Sequence, residues 1–354
     1  MRATSSTPQH RRLRHLALVG TALCFGALAT AAQAAPTANQ AATMPGDFWA
    51  FWGDGRAELN GYQLQIPRYG QPREGSLVLI YVTEQLSDSL RVKADPGKHP
   101  PSDVYSVLKL NAVRKFQTGI YDYSVMTSVF SRTDFGEHER PFPWRKVSMS
   151  SQEWCGHVFH QLLAPGAASP LISSHSHSYF DGEADDLRNL DAKPGSILED
   201  ELPLLLRSYA QKRDLLAAGA RLTVPFLPSL VRARLLHQPL AWTQATIERL
   251  PGTLPIKTSA GEFQVWTYNV QVQGGDHASF HIESVPPYRL IHYRWDAGEE
   301  ATLRGSARLP YWQQNSNGNE ELLRKLGLSG PAASPKPMPT TTPTTTTGQR
   351  ATKP

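Results

Sequence analysis

Between residues 58 and 310 the chain repeats one pattern. Short stretches alternate apolar and polar residues, or run through β-branched and aromatic ones, and clusters of Gly, Pro and Asp separate them. Residues 63–66, 76–83, 104–111, 120–130, 153–163 and 171–180 read this way, as do 263–273, 279–284, 289–295 and 302–309. Gly274-Gly275-Asp276 between two such stretches has the make-up of a hairpin turn. Strands that follow one another with short turns, and no alternation with helices, imply an antiparallel meander. The fold class expected is therefore mainly β: a large curved antiparallel sheet, or a partly closed barrel-like meander, with a few short helices.

Helix signals are sparse. Ser196-Ile197-Leu198-Glu199 has the spacing of a capping box and predicts a helix to about residue 212, with Pro203 allowed only if the helix begins late or kinks. Asn317-Gly318-Asn319-Glu320 opens a second, which stops at Gly327. The first lies between two strand-rich halves, so the body reads equally as two lobes divided near residue 195 or as one continuous sheet. Phe48, Trp49, Phe51 and Trp52 are expected to cover one end of it.

The ends explain the charge. The formal net charge is +5. Residues 1–35 and 331–354 together hold seven of the 36 basic residues and no acid, which leaves 29 basic against 31 acidic residues between them. A body at −2 gives no footprint for nucleic acid, and Arg232 and Arg234 read as part of a solvated face. Arg11, Arg12 and Arg14 precede an uncharged apolar run from Leu16 to Ala29, then Ala32-Gln33-Ala34. That is the layout of a secretory signal cleaved before Ala35, with an apolar run too short to stay as a transmembrane anchor. The expected organisation is a signal at 1–34, a folded body at 35–330 and a Thr/Pro-rich tail at 331–354 that cannot offset its ordering entropy. The expected location is periplasmic or secreted. Cys155 is the one cysteine of the body, so no internal disulfide is expected there.

One region concentrates polar side chains. Glu153, Cys155, His157 and Phe159 alternate along one predicted strand; His175, His177, Tyr179 and Asp181 alternate along the next, with Glu183 just beyond. A hairpin centred on the loop through Pro165-Gly166 would set His157 beside His177 and Cys155 beside Tyr179. The cluster Glu153, Cys155, His157, His177, Tyr179 and Glu183 is the candidate ligand-binding patch. His175 and His177 offer a weak metal pair, and Cys155 with a histidine would suit a nucleophile. No G-x-S-x-G, H-E-x-x-H, Walker A or dinucleotide motif occurs, so no cofactor is expected.

The chain also resembles a family of exported bacterial proteins of unassigned activity, often lipoproteins, some of which carry the mistaken label of septum formation inhibitor. The resemblance lies in Trp52, Gly55, Ala57 and Glu58, in Arg68-Tyr69-Gly70, in Thr118-Gly119-Ile120-Tyr121, and in Tyr311-Trp312. It is most specific in Gln152-Glu153-Trp154-Cys155-Gly156-His157 and Ser176-His177-Ser178-Tyr179-Phe180. It implies a β-rich envelope protein and supplies no activity. His175 falls outside its pattern, which weakens the metal pair. The function expected is binding of a lipid, another small apolar molecule or an envelope component in the concave sheet face. A Cys/His or metal-assisted hydrolase and an envelope scaffold are the alternatives.

Overall fold

The computed structural model describes residues 46–134, 141–166, 169–207 and 216–329. The signal and its cleavage point, the Thr/Pro tail and the far end of the first predicted helix lie outside these residues. The short helix α1 (Gly46–Trp52) leads into β1 (Ala57–Arg68), β2 (Gln71–Ser87), β3 (Val104–Thr118) and β4 (Tyr121–Arg132). β5 (Trp144–Glu153), β6 (Gly156–Leu163), β7 (Ile172–Ser178) and β8 (Asp185–Leu190) complete the first series. The chain then crosses through β9 (Ile197–Leu198), a 3-10 turn at Glu199–Glu201 and α2 (Leu202–Leu205). β10 (Arg221–Leu227), α3 (Leu230–Leu236), β11 (Thr243–Arg249) and β12 (Leu254–Thr258) follow. The last strands are β13 (Gly261–Val272), β14 (His277–Glu283), β15 (Leu290–Trp295) and β16 (Glu300–Leu309).

All of them belong to one sheet, ordered β8-β7-β6-β5-β4-β3-β2-β1-β16-β15-β14-β13-β11-β10-β9, with β12 pairing β13 off this path. The pairs are antiparallel except β9 with β10. The strands on either side of residue 195 are thus joined in one sheet, through β1 and β16. β8 and β9 stand at opposite ends of the path, yet only residues 191–196 separate them in the chain. Fourteen strand spacings laid flat would extend about 67 Å, whereas that link reaches only about 25 Å. The sheet must curl until its two edges approach each other, and it does. Arg188 Nη2 on β8 donates to the Leu240 carbonyl (3.2 Å), and Trp242 Nε1 donates to the Asp191 carbonyl (3.1 Å). β8 and β9 themselves do not pair, so the barrel stays open.

The inner face follows the period-two pattern: Tyr62, Leu64 and Ile66, then Leu77, Leu79 and Tyr81, then Leu108 and Leu110, all buried in one continuous core. The run from Leu77 to Val82 is apolar on both faces because a 3-10 run at Asn319–Leu326 lies against the outside, burying Leu326 with Ala57, Leu59 and Val82. Gly61 and Gly305 face each other across the β1–β16 seam, and a Cβ on either would collide with the backbone of residues 325–327.

Several expectations need correcting. Residues 153–163 are not one strand, since Trp154 and Cys155 form the two-residue turn between β5 and β6. The capping-box segment enters as strand β9 and a 3-10 turn, and α2 begins only at Leu202, where Pro203 fits the first helical turn without an N–H to waste. The second predicted helix is a 3-10 run closed by Gly327 at φ 67°. α3 has no counterpart in the predicted elements; Ser229 caps it by accepting from Val231 N at 3.1 Å. Arg232 and Arg234 on α3 are not a solvated face, because distant carboxylates recruit them inward. Arg232 binds Glu199 (3.0 Å) and Asp276 (2.7 Å), and Arg234 is 5% exposed with its guanidinium 3.8 Å from the Phe180 ring centroid.

Replacing Gly305 with Val is expected to destabilise the protein by about 1–3 kcal/mol through overpacking at the seam. A lowered denaturant midpoint at constant m-value checks this, and an unchanged midpoint would mean that residues 325–327 give way freely.

Candidate functional site

The concave face that the sequence pattern left to a ligand is mostly filled by the chain itself. Ile197, Leu198, Leu202, Leu204, Leu205 and Leu206 are all buried in the core, and the Pro203 carbonyl accepts from Tyr81 Oη at 2.8 Å. The parallel pairing of β9 with β10 needs a crossover, and residues 197–207 take it into the interior. They bring charges with them. Arg207 meets Glu58 at 2.7 Å with side chains 2% and 1% exposed, and its guanidinium stacks on Tyr81 at 4.1 Å.

A second buried group lies nearer α3. Arg114 pairs with Glu299 (3.1 Å), which also accepts from Tyr293 Oη (2.6 Å). Asp200 accepts from Ser229 Oγ (2.7 Å) and Leu230 N (2.9 Å). Burial pushes the Glu199 carboxyl up to about 7 despite the pull of Arg232, and it raises Asp200 as well. Among these groups is a cavity of about 30 Å³ that Arg114 Nη1 and Thr127 Oγ1, both without a protein partner, help to line. It has the size and polarity to hold water.

One larger concavity opens at the same end. A cleft of about 230 Å³ lies between α3, the β1–β2 turn and the β15–β16 turn, lined by Ile66, Pro67, Val231, Leu235, Leu236 and Ala297 together with Arg68, Tyr69, Arg232 and Glu299. Its rim is set by local turn chemistry. Tyr69 (φ 55°) and Gly70 (φ 71°) form the two-residue loop joining Arg68 to Gln71, a left-handed pair that matches the twist of the hairpin. That turn folds the Tyr69 ring over the Arg68 guanidinium (4.2 Å) and brings its hydroxyl 2.8 Å from Tyr123 Oη. Arg68 Nη1 donates to the Leu235 carbonyl, which ties β1 to the end of α3. The sequence held one signal for this site, Arg68-Tyr69-Gly70, which entered only through the resemblance.

Of the six residues expected to form the patch, the structure sets Tyr179 against His157 and Cys155 against Glu153, and not in the pairs expected. The β6–β7 register places Phe159 opposite His177, two residues from the expected pairing. His157 instead accepts a main-chain bond from Tyr179 N (3.4 Å), and the Tyr179 ring packs where a Cβ on Gly156 would sit. His177 pairs with Asp185 (3.1 Å), and His175 Nε2 bonds Ser173 Oγ (2.8 Å). Cys155 lies in the turn with its N–H donated to Glu153 Oε2 (2.7 Å). The thiol is exposed, and the hydrogen bond and negative charge of Glu153 push it up, away from a reactive thiolate. Glu183 reaches the cleft's surroundings. It meets His237 Nδ1 (2.6 Å) and Arg234 (3.6 Å), and accepts from Ser178 Oγ. Burial raises its carboxyl, but those bonds outweigh it and hold the group below the ordinary value. Among the described residues no three His, Cys, Asp or Glu side chains are grouped to hold a metal ion.

No family model and no curated protein matches the chain, so the family resemblance rests on the residues that carry it. Two solved structures resemble the fold distantly. A β-barrel-like protein of the domain of unknown function DUF1849 from Brucella abortus has a TM-score of 0.43 at 8% identity, covering 72% of this chain and 98% of its own. A DUF1089-family protein from Pseudomonas aeruginosa has a TM-score of 0.29 at 14% identity, covering 55% and 91%. Neither likeness bears on activity or ligand.

Two outcomes follow from the ionisable groups. An unfolded glutamate releases its proton near 4.5, whereas folded Glu199 holds it to about 7, so its contribution to stability is full below 4.5 and falls as pH rises toward 7. Glu199→Gln should flatten that part of the stability–pH profile, measured by urea denaturation, and an unchanged slope would assign it elsewhere. Glu153→Gln should speed alkylation of Cys155 at pH 8, followed by mass spectrometry of its peptide, because the charge that raises the thiol is gone. An unchanged rate would show that Glu153 does not restrain it.

Proposed function

We propose that the protein is exported, periplasmic once residues 1–34 are removed, and that it binds a small apolar molecule or lipid chain in the cleft beside α3. The observation that carries this reading is the cleft itself: a concavity of about 230 Å³ with aliphatic walls, on a sheet whose concave face is otherwise filled by residues 197–207. Leu236 lines it while 55% exposed, and Tyr69 at the rim is 54% exposed. Exposed apolar surface around an aliphatic concavity is what an apolar ligand removes from water, at about 25 cal/mol per Å².

Binding is favoured over catalysis by the surroundings of the one candidate nucleophile. A thiol nucleophile is favoured by a depressed pKa, and Glu153 raises that of Cys155. A role for a membrane-spanning helix finds no support either, since among the described residues no helix is long and apolar enough to cross a bilayer.

The test uses the environment-sensitive probe N-phenyl-1-naphthylamine. Its fluorescence should rise on binding the purified protein, and Leu236→Glu, which sets a charge at the lip without touching the core, should weaken that binding by about tenfold. A probe that does not bind, or binds the variant equally well, would overturn the assignment of the cleft.

A further inference from the structure

We infer that the cleft selects molecules that end in a single carboxylate, with Arg68 as the residue that reads it; this rests on the cleft being a binding site at all. Every other charge on the cleft wall is already answered. Arg232 is held by Glu199 and Asp276, and Glu299 is held by Arg114 and the Tyr293 hydroxyl. Arg68 is different. It is 8% exposed, it lines the cleft, and among the described residues no carboxylate pairs with it. Glu183, beside the neighbouring Arg234, is committed to that arginine and to His237. A cation taken out of water without a counter-charge is the arrangement that folded proteins avoid. Here it stands at the mouth of an aliphatic concavity.

The donor geometry says which anion fits. A guanidinium has five N–H groups. Arg68 Nε donates to Tyr123 Oη (3.2 Å), Nη1 to the Leu235 carbonyl and Nη2 to Tyr69 Oη (3.4 Å). Among the described residues each terminal nitrogen thus has one N–H more than it has acceptors, and the two terminal nitrogens of a guanidinium can engage a carboxylate as a bidentate pair. The same three bonds hold the guanidinium still, between the Tyr69 ring at 4.2 Å and the Tyr123 ring at 5.4 Å, so little rotamer freedom is left to lose on binding. Ile66, Pro67, Val231, Leu235 and Leu236 would receive the aliphatic part. The ligand class is an aliphatic monocarboxylate, the chemistry of a fatty acid.

Calorimetric titration of the full chain with decanoate, decanol and decylammonium at pH 7.5 separates the possibilities, since the three share a chain and differ in the head. Decanoate is expected to bind at least about tenfold more tightly than decanol, the worth of a charge-assisted pair. Arg68→Gln should bring that ratio close to one, and Arg68→Lys should keep part of it. Equal binding of decanoate and decanol would overturn the role of Arg68 while leaving the cleft as a binding site. Failure of all three to bind would overturn both. A preference for decylammonium, or a carboxylate preference that survives in Arg68→Gln, would overturn the assignment to Arg68. Because Arg68 also ties β1 to α3, circular dichroism must confirm that each variant is folded. If Arg68→Gln is not, the wild-type ratio and Arg68→Lys decide.

Discussion

Six residues between β8 and β9 govern this molecule. They connect the two ends of a fifteen-strand path, and no stretch of that length can do so unless the sheet rolls up. Curling brings the edges close without pairing them. The gap is managed by polar closures such as Arg188 with Leu240 and Trp242 with Asp191, and by edge strands that are charged, as β8 is at Asp185, Asp186 and Arg188, or very short, as β9 is. The interior left by such a curl is narrow, and the segment that follows the link, residues 197–207, fills it. One end is covered by α1, whose Phe48 packs on Phe142 (5.8 Å) and Trp52 on Tyr81 (6.2 Å). The opposite end is where α3 lies and the cleft remains.

Filling a barrel with a connecting segment instead of side chains alone has an electrostatic consequence. The segment carries Glu199, Asp200, Glu201 and Arg207 into the core, and each of the ion pairs it makes is with a residue far away in sequence, as Arg207 is with Glu58 and Glu199 with Arg232. Such pairs add little net stability against an apolar alternative, but losing one partner strands the other. They therefore specify where the segment sits more than they strengthen it. Within this scheme of matched charges, an arginine that faces the cleft unmatched stands out.

What could be read from the sequence was what neighbouring residues decide. Alternation placed most long strands, because each strand has one wet and one dry face, and Gly274-Gly275-Asp276 marked the β13–β14 turn. β5 and the strands from β8 to β12 escaped notice; β8 has only Leu187 and Leu190 as apolar residues, and β12 is a short strand off the main path. The six polar residues around Cys155 lie close in sequence, but their grouping depended on the register between β6 and β7, which lies two residues from the one expected. The cleft was illegible for a stronger reason. Its walls come from residues 66–70, 231–236 and 297–299, and nothing local in any of these foretells the others. Arg68 in isolation is only a basic residue at the end of a strand.

The seam between β1 and β16 carries one more implication. Ala57 stands opposite Leu309, so the first and last strands of the sheet are hydrogen-bonded neighbours. Tracing the strands from β9 through β16, stepping across the seam to β1, and continuing to β8 visits the path in spatial order, with β12 as the single detour. In topological terms, from β10 onward along this path, the sheet has the strand order of a circularly permuted up-and-down meander, with β9 added in parallel at its edge. Its covalent break falls in mid-sheet, and its one long-distance connection falls where a barrel would have closed. Antiparallel pairing, and not chain continuity, is what holds the middle of this sheet together.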